Sequence, residues 1–211
     1  MKKIVIIDYG CGNVLNLVRA VKYLGYEVEI TNEKKKIISS SYVIFPGVGA
    51  FGNAIKKLSD YNLQNTICEY ISLNKPFLGI CLGMQLLLTE SQEFGIHKGL
   101  NLIEGKVIKL LSGKNSKIKV PHVGWNEIYP INNNKNWNNK ILENIPVRTN
   151  FYFVHSFIAL TKNEQVTNAV CNYYDTSIPA VISMGNIFGC QFHPEKSGEN
   201  GLNVIKNFLN I

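Results

Sequence analysis

Phe77-Leu78-Gly79-Ile80-Cys81-Leu82-Gly83-Met84-Gln85-Leu86-Leu87-Leu88 holds the key to the architecture. Its first four residues are a short apolar run, suited to a strand buried on both faces of a parallel sheet. From Leu82 to Leu88 the pattern opens a helix. Between the two sits a cysteine with glycine two residues to either side. Such a turn forces its central residue into a strained backbone conformation, and the small flanking residues avoid collisions, as in the G-x-S-x-G elbow. The helix that follows is expected to offer backbone N–H groups and a positive dipole end, which favour thiolate over thiol. A small buried cysteine in a tight turn is the other reading of the same residues.

Outward from this stretch, strand and helix signals alternate. Ile4-Val5-Ile6-Ile7 predicts a first buried strand, ending in the turn Asp8 to Asn13. Val14, Leu17, Val18, Val21 and Leu24 recur at helical spacing, and Gly25 supplies a stop. Val28 and Ile30 suggest a second strand, and Tyr42 to Phe45 a third. Helices are expected from about Phe51 to Leu58 and from about Leu63 to Leu73. The second half changes character. Strands are expected at 106–108, 125–128, 151–154, 166–173, 180–182 and 187–191, with helical periodicity returning at Leu202, Ile205 and Leu209. The Asn-rich stretch 132–139 is expected to be a mobile surface loop. The fold class is therefore α/β, a doubly wound and mostly parallel sheet with a β-rich second half, residues 1–211 forming one domain.

Bulk properties narrow the function classes. The 211 residues are 45% hydrophobic and 18% charged, an ordinary globular balance. No apolar run approaches the roughly 20 residues that cross a bilayer. The apolar run after Met1-Lys2-Lys3 is too short for a signal-peptide core. A cytoplasmic protein without membrane contact is expected. The five cysteines are scattered and contain no C-x-x-C pair. That argues against a disulfide framework and a zinc site, and the four histidines show no ligand spacing. No metal and no organic cofactor are expected. The net charge of +7 has one dense run, Lys34-Lys35-Lys36, without aromatic interleaving. This points to a solvated face or an acidic partner's docking surface rather than to nucleic acid.

A cysteine nucleophile needs a base that takes its proton and later gives one to a leaving amine. Gln191-Phe192-His193-Pro194-Glu195 follows an apolar strand. His193 and Glu195 are two apart, so an extended segment points both side chains to one side. A carboxylate there can fix the imidazole tautomer and stabilise its protonated form. Alone, the pair also reads as a capped strand end with an exposed ion pair.

Pro76 to Gln85 and His193-Pro194-Glu195 together resemble the two signatures of triad (class I) glutamine amidotransferases. Pro46-Gly47-Val48-Gly49-Ala50-Phe51, Pro121 to Asn126, Tyr152 to Ser156 and His193 to Ser197 are similar to the glutaminase subunits of imidazole glycerol phosphate synthases. The resemblance runs from the first strand to residue 211. It implies Cys81 as nucleophile, His193 as acid/base and Glu195 as orienter. It implies an oxyanion strand at Pro46 to Gly49, with Gly47, Val48 and Gly49, and Gly83 beside the nucleophile. Glutamine recognition would fall to Gly49, Gln85, Glu93, His155 and Ser156. Glu93 alone also reads as an exposed loop carboxylate. Asn13, His122, Trp125 and Lys196 would face the partner or its ammonia path, though His122 and Trp125 also suit ordinary packing.

The partner so implied is a (β/α)₈ cyclase, forming a heterodimer, that uses the ammonia to make imidazole glycerol phosphate in histidine biosynthesis. Asn16 stands where the family usually has a small hydroxyl residue, and the chain is more basic than is usual there. Both departures bear on the partner. A subunit supplying ammonia to a sugar-amidating synthetase is the second reading. A stand-alone cysteine hydrolase would act without a partner, and a non-catalytic binding module would not react with a glutamine analogue.

Overall fold

The computed structural model describes residues 2–110, 118–131 and 136–211. The first half alternates as the apolar runs require. The elements are β1 (Ile4–Ile7), α1 (Val14–Tyr23), β2 (Val28–Thr31), α2 (Lys34–Ser39), β3 (Tyr42–Gly47), α3 (Phe51–Asp60), α4 (Leu63–Ser72) and β4 (Phe77–Cys81). There follow α5 (Leu82–Leu86), β5 (Leu88–Ser91), β6 (His97–Lys98), β7 (Ile103–Lys109), β8 (His122–Pro130), β9 (Asn150–His155) and β10 (Phe157–Thr161). The chain ends with β11 (Thr167–Tyr173), β12 (Thr176–Met184), β13 (Ile187–Cys190) and α6 (Gly198–Phe208).

Among the described residues, nine strands form one sheet in the order β2-β1-β3-β4-β13-β12-β11-β8-β9. The first five run parallel, and the rest join antiparallel. Alternate side chains of β1 divide between two cores. Ile4 and Ile6 pack with Leu17 and Val21 of α1 and with Val204, Ile205 and Phe208 of α6. Val5 and Ile7 pack on the opposite face with Ile37 of α2, Phe51, Ala54 and Leu58 of α3, and Leu63, Ile67 and Tyr70 of α4. Helices thus cover both faces, the doubly wound arrangement expected for strands apolar on each side.

A second, four-stranded sheet, β10-β7-β5-β6, is the main departure from expectation. The helix expected through Leu88 stops at Leu86, and Leu88 to Ser91 pairs with β7 instead. Leu86, Leu87 and Leu88 are all fully buried, and an apolar run of this kind carries no period to separate helix from strand. The basic run Lys34-Lys35-Lys36 opens the short helix α2, where Lys34 pairs with Glu69 and Lys36 with Glu29 and Glu33. It is a solvated, locally neutralised face. Of the Asn-rich stretch, residues 132–135 lie outside the described residues. Its end is hydrogen-bonded to the rest of the fold. Trp137 Nε1 donates to the Ile145 carbonyl, and Asn139 accepts from Ile141 N at 3.0 Å while donating to Asn168 and Ser183.

Register brings the chemistry together. Gly47 at the end of β3 pairs with Cys81, and Cys190 of β13 pairs with Ile80. Three parallel strands therefore end side by side at their carboxyl edge, where open α/β sheets bind ligands. Gly83 lets α5 settle on β3, since a Cβ there would stand 1.9 Å from the Phe45 carbonyl oxygen. Gly83→Ala should therefore cost about 1–3 kcal/mol by overpacking, measured by denaturant unfolding. An unchanged midpoint would show that α5 does not approach β3 this closely.

Candidate active site

Cys81 is the last residue of β4, with φ 54° and ψ −112°. A non-glycine residue in this region is strained, and the surrounding sheet and α5 must hold it there. The strain turns its side chain into a cavity of about 350 Å³. Val48, Gly49, Gln85, Glu93, His155, Ser156 and His193 also line it. The following helix has only five residues, so the dipole expected behind Cys81 is short. The charge that faces the sulfur comes from elsewhere.

His193 and Glu195 meet through a 3₁₀ turn at Pro194–Lys196, not through an extended segment. Pro194, first in that turn, has the φ the turn needs and no N–H to leave unpaired. His193 Nδ1 then bonds Glu195 Oε1 at 2.8 Å, with side chains 3% and 2% exposed. An exposed surface ion pair is excluded. Burial lowers the tendency of His193 to hold a proton. The Cys81 sulfur and the Glu195 carboxylate oppose that and hold its pKa up at about 10. Among the described residues, His193 Nε2 is buried with no partner in hydrogen-bond geometry, so the Cys81 effect is that of a facing sulfur rather than a formed bond. Glu195 Oε2 likewise has no partner among the described residues. A protonated imidazole with a free, buried N–H beside a sulfur favours thiolate and can hand a proton to a leaving group.

The remaining residues divide into those at the cavity and those away from it. Glu93 is buried rather than on an exposed loop, and its Oε2 accepts from Phe51 N at 2.6 Å, tying the start of α3 to the cavity. Gly49 has φ 102°, accessible to glycine, and Val48 beside it is exposed. Gly47 and Gly83 are close-approach positions beneath the cavity. A Cβ on Gly47 would stand 2.6 Å from the Tyr9 hydroxyl. That hydroxyl donates to the Pro46 carbonyl, a support for the strand that sequence patterning does not single out.

His155 is occupied on both nitrogens. Its Nδ1 donates to the Phe157 carbonyl at 2.9 Å, and Nε2 meets His122 Nδ1 at 3.0 Å. Burial, the neighbouring His122 and, less strongly, His193 depress its pKa to about 3. Burial also lowers the His122 pKa. His122, expected to face a partner or an ammonia path, is fully buried. Asn13, Trp125 and Lys196 are exposed. Trp125 packs edge-on against Tyr152, over which the Lys196 ammonium sits 5.7 Å from the ring centre. Among the described residues, no group of three or more His, Cys, Asp or Glu could hold a metal, and no helix is long and apolar enough to cross a membrane.

Comparison with known proteins gives a consistent result. The family described as glutamine amidotransferase class-I matches residues 5–211. The chain is 44% identical to imidazole glycerol phosphate synthase subunit HisH 1 of Legionella pneumophila (strain Paris), over 100% of both chains. It is 43% identical, again over 100% of both, to the HisH subunit of Methanosarcina barkeri. Among solved structures, PurLQS from Thermotoga maritima matches with a TM-score of 0.71 at 18% identity, over 100% of this chain and 99% of that one. A glutamine amidotransferase from Thermotoga maritima matches at 0.61 and 17%, over 99% and 83%. These last two speak for the fold alone.

Of the three buried histidines, His155 and His193 act oppositely on stability. His155 has a folded pKa of about 3 against ~6.5 unfolded, so its contribution is present above ~6.5 and lost as pH falls toward 3. His193 has a folded pKa of about 10, so its contribution is full below ~6.5 and lost as pH rises through 10. Unfolding free energy should therefore rise with pH over the first window and fall over the second. His155→Gln should make the acid limb shallower, the His122 share remaining, and leave the alkaline limb as it is; an unaltered acid limb would contradict the assignment.

Proposed function

The chain belongs to the class I glutamine amidotransferases and, within them, to the HisH subunits of imidazole glycerol phosphate synthase. From that premise we propose that residues 1–211 form one glutaminase unit in which Cys81, His193 and Glu195 hydrolyse glutamine. The observation that carries the triad is the buried His193–Glu195 pair with its free Nε2 opening on the Cys81 cavity. The sulfur attacks the side-chain amide carbon, and the oxygen gains negative charge opposite the Val48–Gly49 backbone. The carbon–nitrogen bond breaks as His193 protonates the departing nitrogen, releasing ammonia and leaving a thioester. His193, now neutral, takes a proton from water, whose oxygen displaces the sulfur to give glutamate. Backbone donors aimed at the developing oxyanion are typically worth about 3–4 kcal/mol.

Glu93 supplies a negative charge in the cavity for the substrate's α-ammonium, and Gln85, His155 and Ser156 shape its walls. The partner is a (β/α)₈ cyclase that takes ammonia to form imidazole glycerol phosphate in the cytoplasm, and Asn13, Trp125 and Lys196 meet it. A docked interface has a chemical purpose, because ammonia released into water is protonated and loses its nucleophilic lone pair. The full-length matches to HisH subunits support this acceptor over a sugar.

Reconstituted with the cyclase of its own organism, the chain should support glutamine-dependent imidazole glycerol phosphate formation. Cys81→Ala should lower that rate at least a thousand-fold or so while ammonia-dependent turnover persists. Equal loss of both rates would remove Cys81 from glutamine hydrolysis. If a control glutaminase drives the same cyclase and this chain does not, the sugar-amidating reading takes its place.

A further inference from the structure

The reacting sulfur has a neighbour that the triad does not use. Gln191 follows β13 by one residue, and since Cys190 pairs with Ile80 it falls beside Cys81. It is fully buried, and its Nε2 lies 3.6 Å from Cys81 Sγ. A side-chain amide can present nitrogen or oxygen, and here its surroundings decide which. The Phe157 carbonyl can only accept, so the atom of Gln85 that meets it at 3.0 Å must be Nε2. The same nitrogen meets Gln191 at 2.9 Å and gives its second proton there, which makes the Gln191 atom Oε1. Gln191 Nε2 is thereby turned to the sulfur. The Phe157 carbonyl is itself fixed by His155, whose other nitrogen is held by His122, and His122 Nε2 meets the Asn126 side chain at 2.8 Å.

We infer that the Gln191 amide is a second, uncharged hydrogen-bond donor to the reacting sulfur, locked in that orientation by Gln85 and the Phe157 carbonyl. A donor to sulfur favours thiolate over thiol, in the same direction as His193 but without competing for the proton that His193 must deliver. It also holds the sulfur beside the end of β13 while the imidazole turns to the leaving group. The inference deepens the glutaminase reading and rests on it. It leaves Gln85 Oε1 as the atom of that residue available to a substrate's ammonium.

The test is the pH midpoint of Cys81 alkylation by iodoacetamide, in the full chain carrying Cys68→Ser to remove the one exposed thiol. The other groups facing the sulfur stay in place: His193 and Glu195 after β13, Cys190 within it, Tyr9 after β1 and Glu93 across the cavity. Gln191→Leu should raise the midpoint by about one pH unit. It should lower glutamine kcat in the complex roughly tenfold, with KM within about twofold and ammonia-dependent turnover unchanged. Gln191→Met, unbranched and without a donor, should do the same. An unmoved midpoint and kcat in folded variants would overturn the inference. Loss of folding in both would overturn it too, making Gln191 a structural residue. Cys81→Ala separates the two readings. If it keeps glutaminase activity the function fails, and if it is inactive while Gln191→Leu behaves as wild type only this inference fails.

Discussion

The pairing of β4 on both of its edges is the constraint from which the site follows. With Gly47 opposite Cys81 on one side and Cys190 opposite Ile80 on the other, three segments distant in sequence end at one line. Backbone hydrogen bonds set that line, so side-chain chemistry is positioned by the most rigid part of the molecule. A slip of one residue in either ladder would send every side chain of that strand to the opposite face. The strained φ of Cys81 is tolerated because β4 is held on both edges and α5 is seated on β3 through Gly83.

Burial then converts position into reactivity. The His193–Glu195 pair lies out of water, where removing one partner of such a pair costs about 3–5 kcal/mol because the other charge stays stranded. The five-residue α5 is too short to supply the dipole that the elbow pattern suggests, and the imidazole takes over that electrostatic part. His122 and His155 run the other way. Burial keeps both neutral, and the Phe157 carbonyl fixes the His155 tautomer, so they serve as rigid spacers behind the cavity wall.

Legibility in the sequence follows the range of the interaction. Ile4 to Ile7, Tyr42 to Phe45 and Phe77 to Ile80 declare parallel strands because each is apolar on both faces. The glycines around Cys81 declare the elbow because that turn is local. Leu86 to Leu88 does not declare β5, since only its pairing with β7 separates strand from helix. His193 and Glu195 are legible as neighbours, but the turn that joins them departs from the extended segment their spacing suggests. Gln191, Tyr9 and the His122–His155 contact are silent in the sequence, because each depends on register between strands far apart in the chain.

The central claim is that one thiol among five is a nucleophile toward a glutamine-like carbonyl. Its most direct measurement is mass-spectrometric mapping of the adduct formed by the reactive glutamine analogue 6-diazo-5-oxo-L-norleucine on the full chain with its partner. A single adduct on Cys81, prevented by glutamine, is expected. An adduct on exposed Cys68, or none while glutamine is still turned over, would contradict it.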